Sequence, residues 1–434
     1  MADIAGFCGT RYNAEKVPDL SKVVAPPYDV IDEVQRAGLA ARDEHNVVRL
    51  ILPADQPGKD RYTCAAELLR RWLDERFLLR DPAPGIYVVR QEWTGGDETL
   101  ERTGFIAAVR LEPFGEGHIY PHENTLSAPK EDRLALLKAT RANLSQVLAL
   151  FPDEKRDVDD WLSRVSASPP LAQATDDAGV VARLWRECRE RRIAELRDAL
   201  VERPLFIADG HHRYETALAY KRFCAENSGA VAADAPENSV MMLCVAINHP
   251  GLVTLPTHRL LPTETVNVDN LVGRLNREFD VRPIATFSGK TGELDEILRS
   301  DLTPNLMILY AGRHRPPLRV SPRKPPSILG RMSDRSVAWR TLDVSILQYA
   351  ILEEILGLTL KRITQEAGIG YVHEADEAAR RVDRGEFAAA FLLRPTPVSA
   401  VAVVASQLEK MPPKSTFFYP KALTGMVIRQ LQGP

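Results

Sequence analysis

Ile207-Ala208-Asp209-Gly210-His211-His212-Arg213 is the stretch on which the reading of this chain turns. An apolar run from Leu205 to Ala208 predicts a short strand, and Arg213 to Asn227 predicts a helix. Asp209 and Gly210 stand at the junction. Such a turn aims the leading amides of the helix, with the positive end of its dipole, at whatever lies above it. Gly210 has no Cβ, so a ligand can approach the backbone closely. The result is a phosphate-binding turn, in which Arg213 can add a bidentate contact and His211 and His212 can donate hydrogen bonds. Asp209 is the odd member, because a carboxylate beside phosphate is repelled unless it binds Mg²⁺ or accepts a proton. It is therefore both a candidate metal ligand and a candidate general base. The plainer alternative is that Asp209 caps the helix and the two histidines pack or face solvent.

Working outward, strands are expected at 47–52, 86–91, 103–111 and 240–247, the last as a hairpin with 252–255. Helices are expected at 62–75 and 134–150, with a long charged helix over 180–201. Strands and helices mix without regular alternation, so the fold class is α+β, mixed sheets with packed helices. Polar or proline-rich stretches at Asp153–Gly179, Ser228–Ser239 and Arg313–Ser336 mark boundaries. They divide the chain into an N-terminal α/β domain (1–152), a central domain carrying the Asp209 turn (180–312) and a C-terminal region (337–434) that completes the site.

The 434 residues are 44% hydrophobic and 26% charged, an ordinary globular balance with more than one core expected. A formal net charge of -3 gives no field to hold a polyanion, so no nucleic acid partner is expected. Five scattered cysteines offer no paired metal-ligand spacing and suit a reducing compartment. Residues Met1 to Gly6 show no signal segment and no apolar run is long enough to span a bilayer, so the chain is expected to be cytoplasmic, without membrane partners. Oligomeric state is left open.

Four other segments carry polar groups on proline-stiffened loops. Pro26-Pro27-Tyr28-Asp29 can project Tyr28 and Asp29, as substrate contact and acid or base, or be a plain turn. After Pro121, His122 and Glu123 can bind substrate or transfer protons. Thr257-His258-Arg259 follows an expected strand, a place where chemistry is often delivered, although a packed His and a solvated Arg are equally ordinary. Lys414-Ser415-Thr416 and Lys421 can bring hydroxyls and ammonium groups to phosphate, while the intervening aromatics stack on a base or seal the core. No glycine-rich run precedes Lys414, so this is not a P-loop.

The Asp-Gly-His-His-Arg turn with its following helix resembles the phosphate-binding motif of the ParB/sulfiredoxin superfamily, and among its members the free serine kinases most closely. Over nearly its full length the chain also resembles a widespread prokaryotic family of unknown function. That likeness rests on Ala25-Pro-Pro-Tyr-Asp-Val-Ile31, His122-Glu-Asn-Thr125, the Asp209 turn, Pro256-Thr-His-Arg259 and Met411-Pro-Pro-Lys-Ser-Thr-Phe-Phe-Tyr-Pro-Lys421. The resemblance implies a ParB/sulfiredoxin-like nucleotide-binding core in which Gly210 to Arg213 hold nucleotide phosphates and Asp209 sits at the reacting hydroxyl. Free serine kinases also use an acidic residue from the N-terminal part. Asp29 is the nearest candidate, in a Pro-Pro-Tyr-Asp pattern that departs from theirs.

The function expected is a nucleotide-dependent phosphotransferase, using ATP or ADP with Mg²⁺ on a small hydroxyl metabolite such as free serine. A phosphatase or nucleotide hydrolase, and a non-catalytic nucleotide-binding switch, are the alternatives. Asp29, Asp209 and Lys414 are expected to face one pocket.

Overall fold

The computed structural model describes residues 3–96, 98–123, 127–228, 232–360, 362 and 368–431, and they gather into two compact units. The first runs to Pro121, continues from Ser127 to Val253 and takes in the chain again from Pro420; the second holds His122, Glu123 and Thr254 to Tyr419. Asn124 and Thr125 of the His122 motif lie outside the described residues.

In chain order the first unit contains β1 (Ile4–Ala5), β2 (Gly9–Tyr12), α1 (Glu33–Arg42), α2 (Val48–Ile51), α3 (Arg61–Asp74), β3 (Leu78–Arg80), β4 (Ile86–Gly95), β5 (Glu98–Arg110) and β6 (Ile119–Tyr120). It continues through α4 (Ser127–Thr140), β7 (Ala142–Asn143), β8 (Val147–Phe151), α5 (Asp157–Val165), β9 (Ala172–Thr175) and β10 (Val181–Glu187). Then come α6 (Glu190–Leu200), β11 (Leu205–Asp209), α7 (His211–Ser228) and β12 (Ser239–Ala246).

The large sheet has the order β6-β11-β8-β12-β5-β4-β10-β9, with β1 also paired to β5. It is mixed: β11 runs parallel to β6 and β12 to β8, and the other pairings are antiparallel. Central position explains composition. Residues of β8 and nearly all of β12 are buried, which is why Val-Leu-Ala-Leu-Phe and Val-Met-Met-Leu-Cys-Val-Ala read as unbroken apolar runs. Phe105, Phe151, Trp161, Trp185 and Tyr214 share the core beneath the helices. A second core, around Trp72, Leu50 and Ile51, lies among α1 to α3 and a small sheet of order β3-β2-(Ile428–Gln430)-β7.

Four expected elements are corrected. Val47–Leu52 is not a strand: Val48–Ile51 is a short helix, started by Asn46, whose side chain accepts the Val48 N–H at 2.9 Å. The helix expected over 134–150 ends at Thr140, because Arg141 takes a left-handed φ of 47° and the chain then enters the sheet. The charged helix expected over 180–201 is β10 followed by α6, since alternate burial along Val181–Glu187 suits a strand seated against β4. The hairpin expected after β12 does not form either, for β12 is flanked by β5 and β8. Nor does 153–179 separate domains, because strands before and after it share the large sheet.

The second unit is built on an antiparallel sheet of order 279–283, 318–322, 307–310, 389–392, 258–261, 370–372. Helices Glu293–Ser300 and Ala375–Asp383 cover it, burying Leu294, Leu298, Ala378 and Val382 against Leu260, Ile308 and Leu392. The fold class is thus α+β with mixed and antiparallel sheets. Among the described residues no helix is long and apolar enough to cross a membrane.

Candidate functional site

The turn after β11 is shaped by two backbone irregularities. Pairing of β11 with β8 slips between Ile207 and Asp209, a bulge that re-aims the strand's last side chain. Gly210 then adopts φ +88°, which a side chain tolerates poorly, and the Tyr214 N–H donates to the Gly210 carbonyl at 3.0 Å to open α7. A Cβ on Gly210 would stand 2.8 Å from the Arg213 guanidinium. Gly210→Ala is accordingly expected to lower unfolding stability by roughly 1–3 kcal/mol through backbone strain and displacement of Arg213. Urea denaturation reads it, and an unchanged midpoint would show that the turn relaxes freely.

Asp209 sits between two cations. The Lys421 ammonium donates to its Oδ1 at 2.9 Å and Arg213 Nη2 to its Oδ2 at 2.6 Å, with side chains only 15%, 10% and 18% exposed for Lys421, Arg213 and Asp209. Burial alone would raise the carboxyl's pKa; Lys421, Arg213 and nearby His211 outweigh it and hold the group well below the usual carboxylate range. Arg213 also donates from Nη1 to the Gln146 carbonyl. Burial disfavours its charge, and Asp209, Asp29 and Tyr28 overcome that.

Tyr28 and Asp29 occupy a single helical turn on the Pro-Pro loop. The Tyr28 ring lies under the Arg133 guanidinium, 4.3 Å from its centroid, and Arg133 is fixed by the Ile51 carbonyl at 2.6 Å. Burial, then Asp29, pushes the Tyr28 hydroxyl up to about 12, so it is a neutral donor near pH 7. Asp29 is exposed. Beside Tyr28 and Arg213 lies a cavity of about 60 Å³, room for a few waters but not for a nucleotide. Lys130 on α4 pairs with Glu215 on α7 at 2.8 Å.

The structure therefore brings together, in the first unit, Tyr28, Asp29, Asp209, Gly210, Arg213 and Lys421. His211 is buried at the start of α7 and His212 half-buried next to it. Among the described residues no three His, Cys, Asp or Glu side chains form a metal-ligand cluster.

The other expected residues belong to the second unit. His122 Nε2 lies 2.9 Å from the Thr416 hydroxyl, and Glu123 accepts the Lys414 N–H at 3.0 Å. Lys414 is exposed and left-handed (φ 59°). The Ser415 hydroxyl closes a turn onto the Pro412 carbonyl at 2.5 Å. His258 and Arg259, expected on a loop as substrate contacts or as a packed His and a solvated Arg, lie on a strand and are 0% and 3% exposed, so His258 is packed as the plainer reading has it and Arg259 is not solvated. His258 Nδ1 accepts the Leu393 N–H at 3.1 Å, and Arg259 donates to the carbonyls of Thr257 and Lys414 while lying 5.0 Å from the Tyr371 ring centroid.

Sequence reasoning missed Arg102 and Gln91, directly opposed on β5 and β4 and each 1% exposed. Arg102 Nη2 donates to Gln91 Oε1 and to the Pro420 carbonyl, both at 2.5 Å, and Gln91 Nε2 donates to the Lys421 carbonyl at 2.9 Å. The signal available was a charged residue at the edge of an apolar strand, which by itself is unremarkable.

Residues 4–345 match the family described as "Protein of unknown function (DUF1015)". No curated protein matches the chain. Among solved structures, a free serine kinase in complex with AMP is 12% identical, covering 69% of this chain and 83% of its own, with a TM-score of 0.34. A conserved hypothetical protein from Pyrococcus furiosus is 12% identical over 69% of this chain and 87% of its own, with a TM-score of 0.32. SbnI from Staphylococcus aureus, with its C-terminus truncated, is 9% identical over 74% and 85%, with a TM-score of 0.35.

Proposed function

We propose, for a chain that belongs to the DUF1015 family, nucleotide-dependent phosphoryl transfer to a small hydroxyl metabolite, with free serine the first substrate to try. The observation that carries this reading is the convergence of Lys421 and Arg213 on Asp209 at a glycine turn opening an 18-residue helix. Its likeness to the free serine kinase motif adds the nucleotide. Phosphates of ATP or ADP lie over Gly210, where the helix dipole favours negative charge. Arg213 and Lys421, already held at this turn, turn their donors to phosphoryl oxygens.

Asp209 fits a Mg²⁺ ligand, because that ion is commonly held by one or two carboxylates together with substrate phosphates. When bound, it neutralises phosphate charge. A carboxylate flanked by two cations is a weak base, so the hydroxyl proton is assigned to Asp29, exposed on the loop beside Arg213. Tyr28 donates a hydrogen bond on the substrate side. Most of the rate comes from positioning and charge stabilisation.

The test begins with thermal stabilisation by ATP, ADP or AMP, with and without Mg²⁺. A nucleotide that binds adds about 2.7 kcal/mol at a hundredfold excess over Kd. A survey with radiolabelled nucleotide and pooled metabolites then seeks the phosphorylated product. Arg213→Ala is expected to weaken nucleotide binding roughly tenfold or more while the chain stays folded. Unchanged affinity in that folded variant sinks the assignment of the turn.

A further inference from the structure

We infer that Arg102 and Gln91 are positioning residues, which set the Lys421 ammonium on Asp209 by holding the backbone of the returning C-terminal strap. This rests on the reading of Lys421 as a phosphate ligand. Both side chains are buried on paired inner strands of the large sheet, and a buried guanidinium is disfavoured unless its donors are met. The strap supplies one of the acceptors. Arg102 takes the Pro420 carbonyl, Gln91 takes the Lys421 carbonyl, and Arg102 and Gln91 bond each other. Two successive peptide carbonyls, on either side of the Lys421 Cα, are thereby fixed from one direction.

The Lys421 side chain, leaving the strap between these two carbonyls, meets Asp209 at 2.9 Å. Further along, Gln146 Nε2 donates to the Leu423 carbonyl at 3.1 Å, and Ala25 and Thr424 exchange backbone hydrogen bonds. These anchor the strap but do not fix the peptide that carries Lys421. Asp209 in turn favours the Arg102 charge, which burial pushes down to about 10. The pair thus has a second link to the site besides the backbone.

The full-length chain is compared as parent, Arg102→Met and Gln91→Met; the second variant keeps the test open if the first does not fold. Hydrogen exchange without nucleotide is expected to quicken roughly tenfold at amides 421–424, as loss of a charge-assisted bond allows, with amides 105–109 of β5 unchanged. Equal exchange at 421–424 in a folded variant, or acceleration across β5 as well, overturns the positioning role. ADP affinity supplies the second readout. Arg102→Met and Lys421→Met should each weaken it, and the double variant should be no weaker than Lys421→Met alone. Additive losses would mean that Arg102 acts through general stability, contrary to the inference. If Lys421→Met leaves ADP affinity unchanged, the phosphate reading fails, while the exchange data still decide whether the strap is held as described.

Discussion

Asp209→Asn is expected to lower nucleotide turnover by roughly a hundredfold or more while nucleotide affinity stays level or tightens. The substitution keeps size but removes the negative charge between Lys421 and Arg213, and it leaves one acceptor oxygen where two cations donate. Freed of that partner, both cations are available to phosphate, so binding does not suffer. Turnover does, because the carboxylate that can hold the metal is gone. Stability should fall by about 3 kcal/mol near pH 7, since two mostly buried cations are left facing each other. The pH dependence has a definite sign. The folded-state pKa is depressed, so this stability is fully present above the unfolded value of about 3.9 and is lost as pH falls below it. Initial rates with the best phosphoryl acceptor, nucleotide titrations and urea unfolding measure the three effects. Turnover within about tenfold of the parent, only ~1.4 kcal/mol of barrier, would leave Asp209 a structural residue.

The strand-turn-helix around Asp209 was legible because its determinants are local. An apolar run, a glycine able to take φ +88° and a helix start lie within ten residues, and the structure places β11 and α7 close to where the sequence puts them. The misread segments are those where nonlocal pairing decides. Val47 to Ile51 buries four of five residues as a helical turn, a pattern a buried strand produces equally well. Val147 to Phe151 continues the apolar spacing of α4, and only its place between β11 and β12 makes it a strand. The site shows the same division. Asp209, Arg213 and Lys421 were recognisable as types, and the reading left Asp209 to bind metal or accept a proton. That Lys421, 212 positions away, neutralises it has no local mark. The opposition of Gln91 and Arg102 likewise follows from strand register.

Acidification should weaken the second unit through His258, in a window set by burial. The ring is fully enclosed; burial first, then Arg259 and His373, push its pKa down to about 3. An unfolded histidine titrates near 6.5. Between these values the unfolded chain binds a proton that the folded one refuses, so unfolding free energy falls as pH drops from about 6.5 towards 3. From well above 6.5 down to 4.5 the loss is about 2.7 kcal/mol, approaching 1.36 kcal/mol for each pH unit below 6.5. His258→Asn retains an acceptor for the Leu393 N–H but cannot take the proton. It is expected to be less stable than the parent at pH 7, through lost packing, yet to lose less stability on acidification. Carboxylates elsewhere contribute equally to both proteins and cancel in the difference. Urea unfolding at pH 7, 5.5 and 4.5, parent minus variant, isolates the histidine. A difference that stays constant across that range would mean that His258 is protonated in the folded chain or opens to water without cost, and the enclosed neutral ring would have to be abandoned.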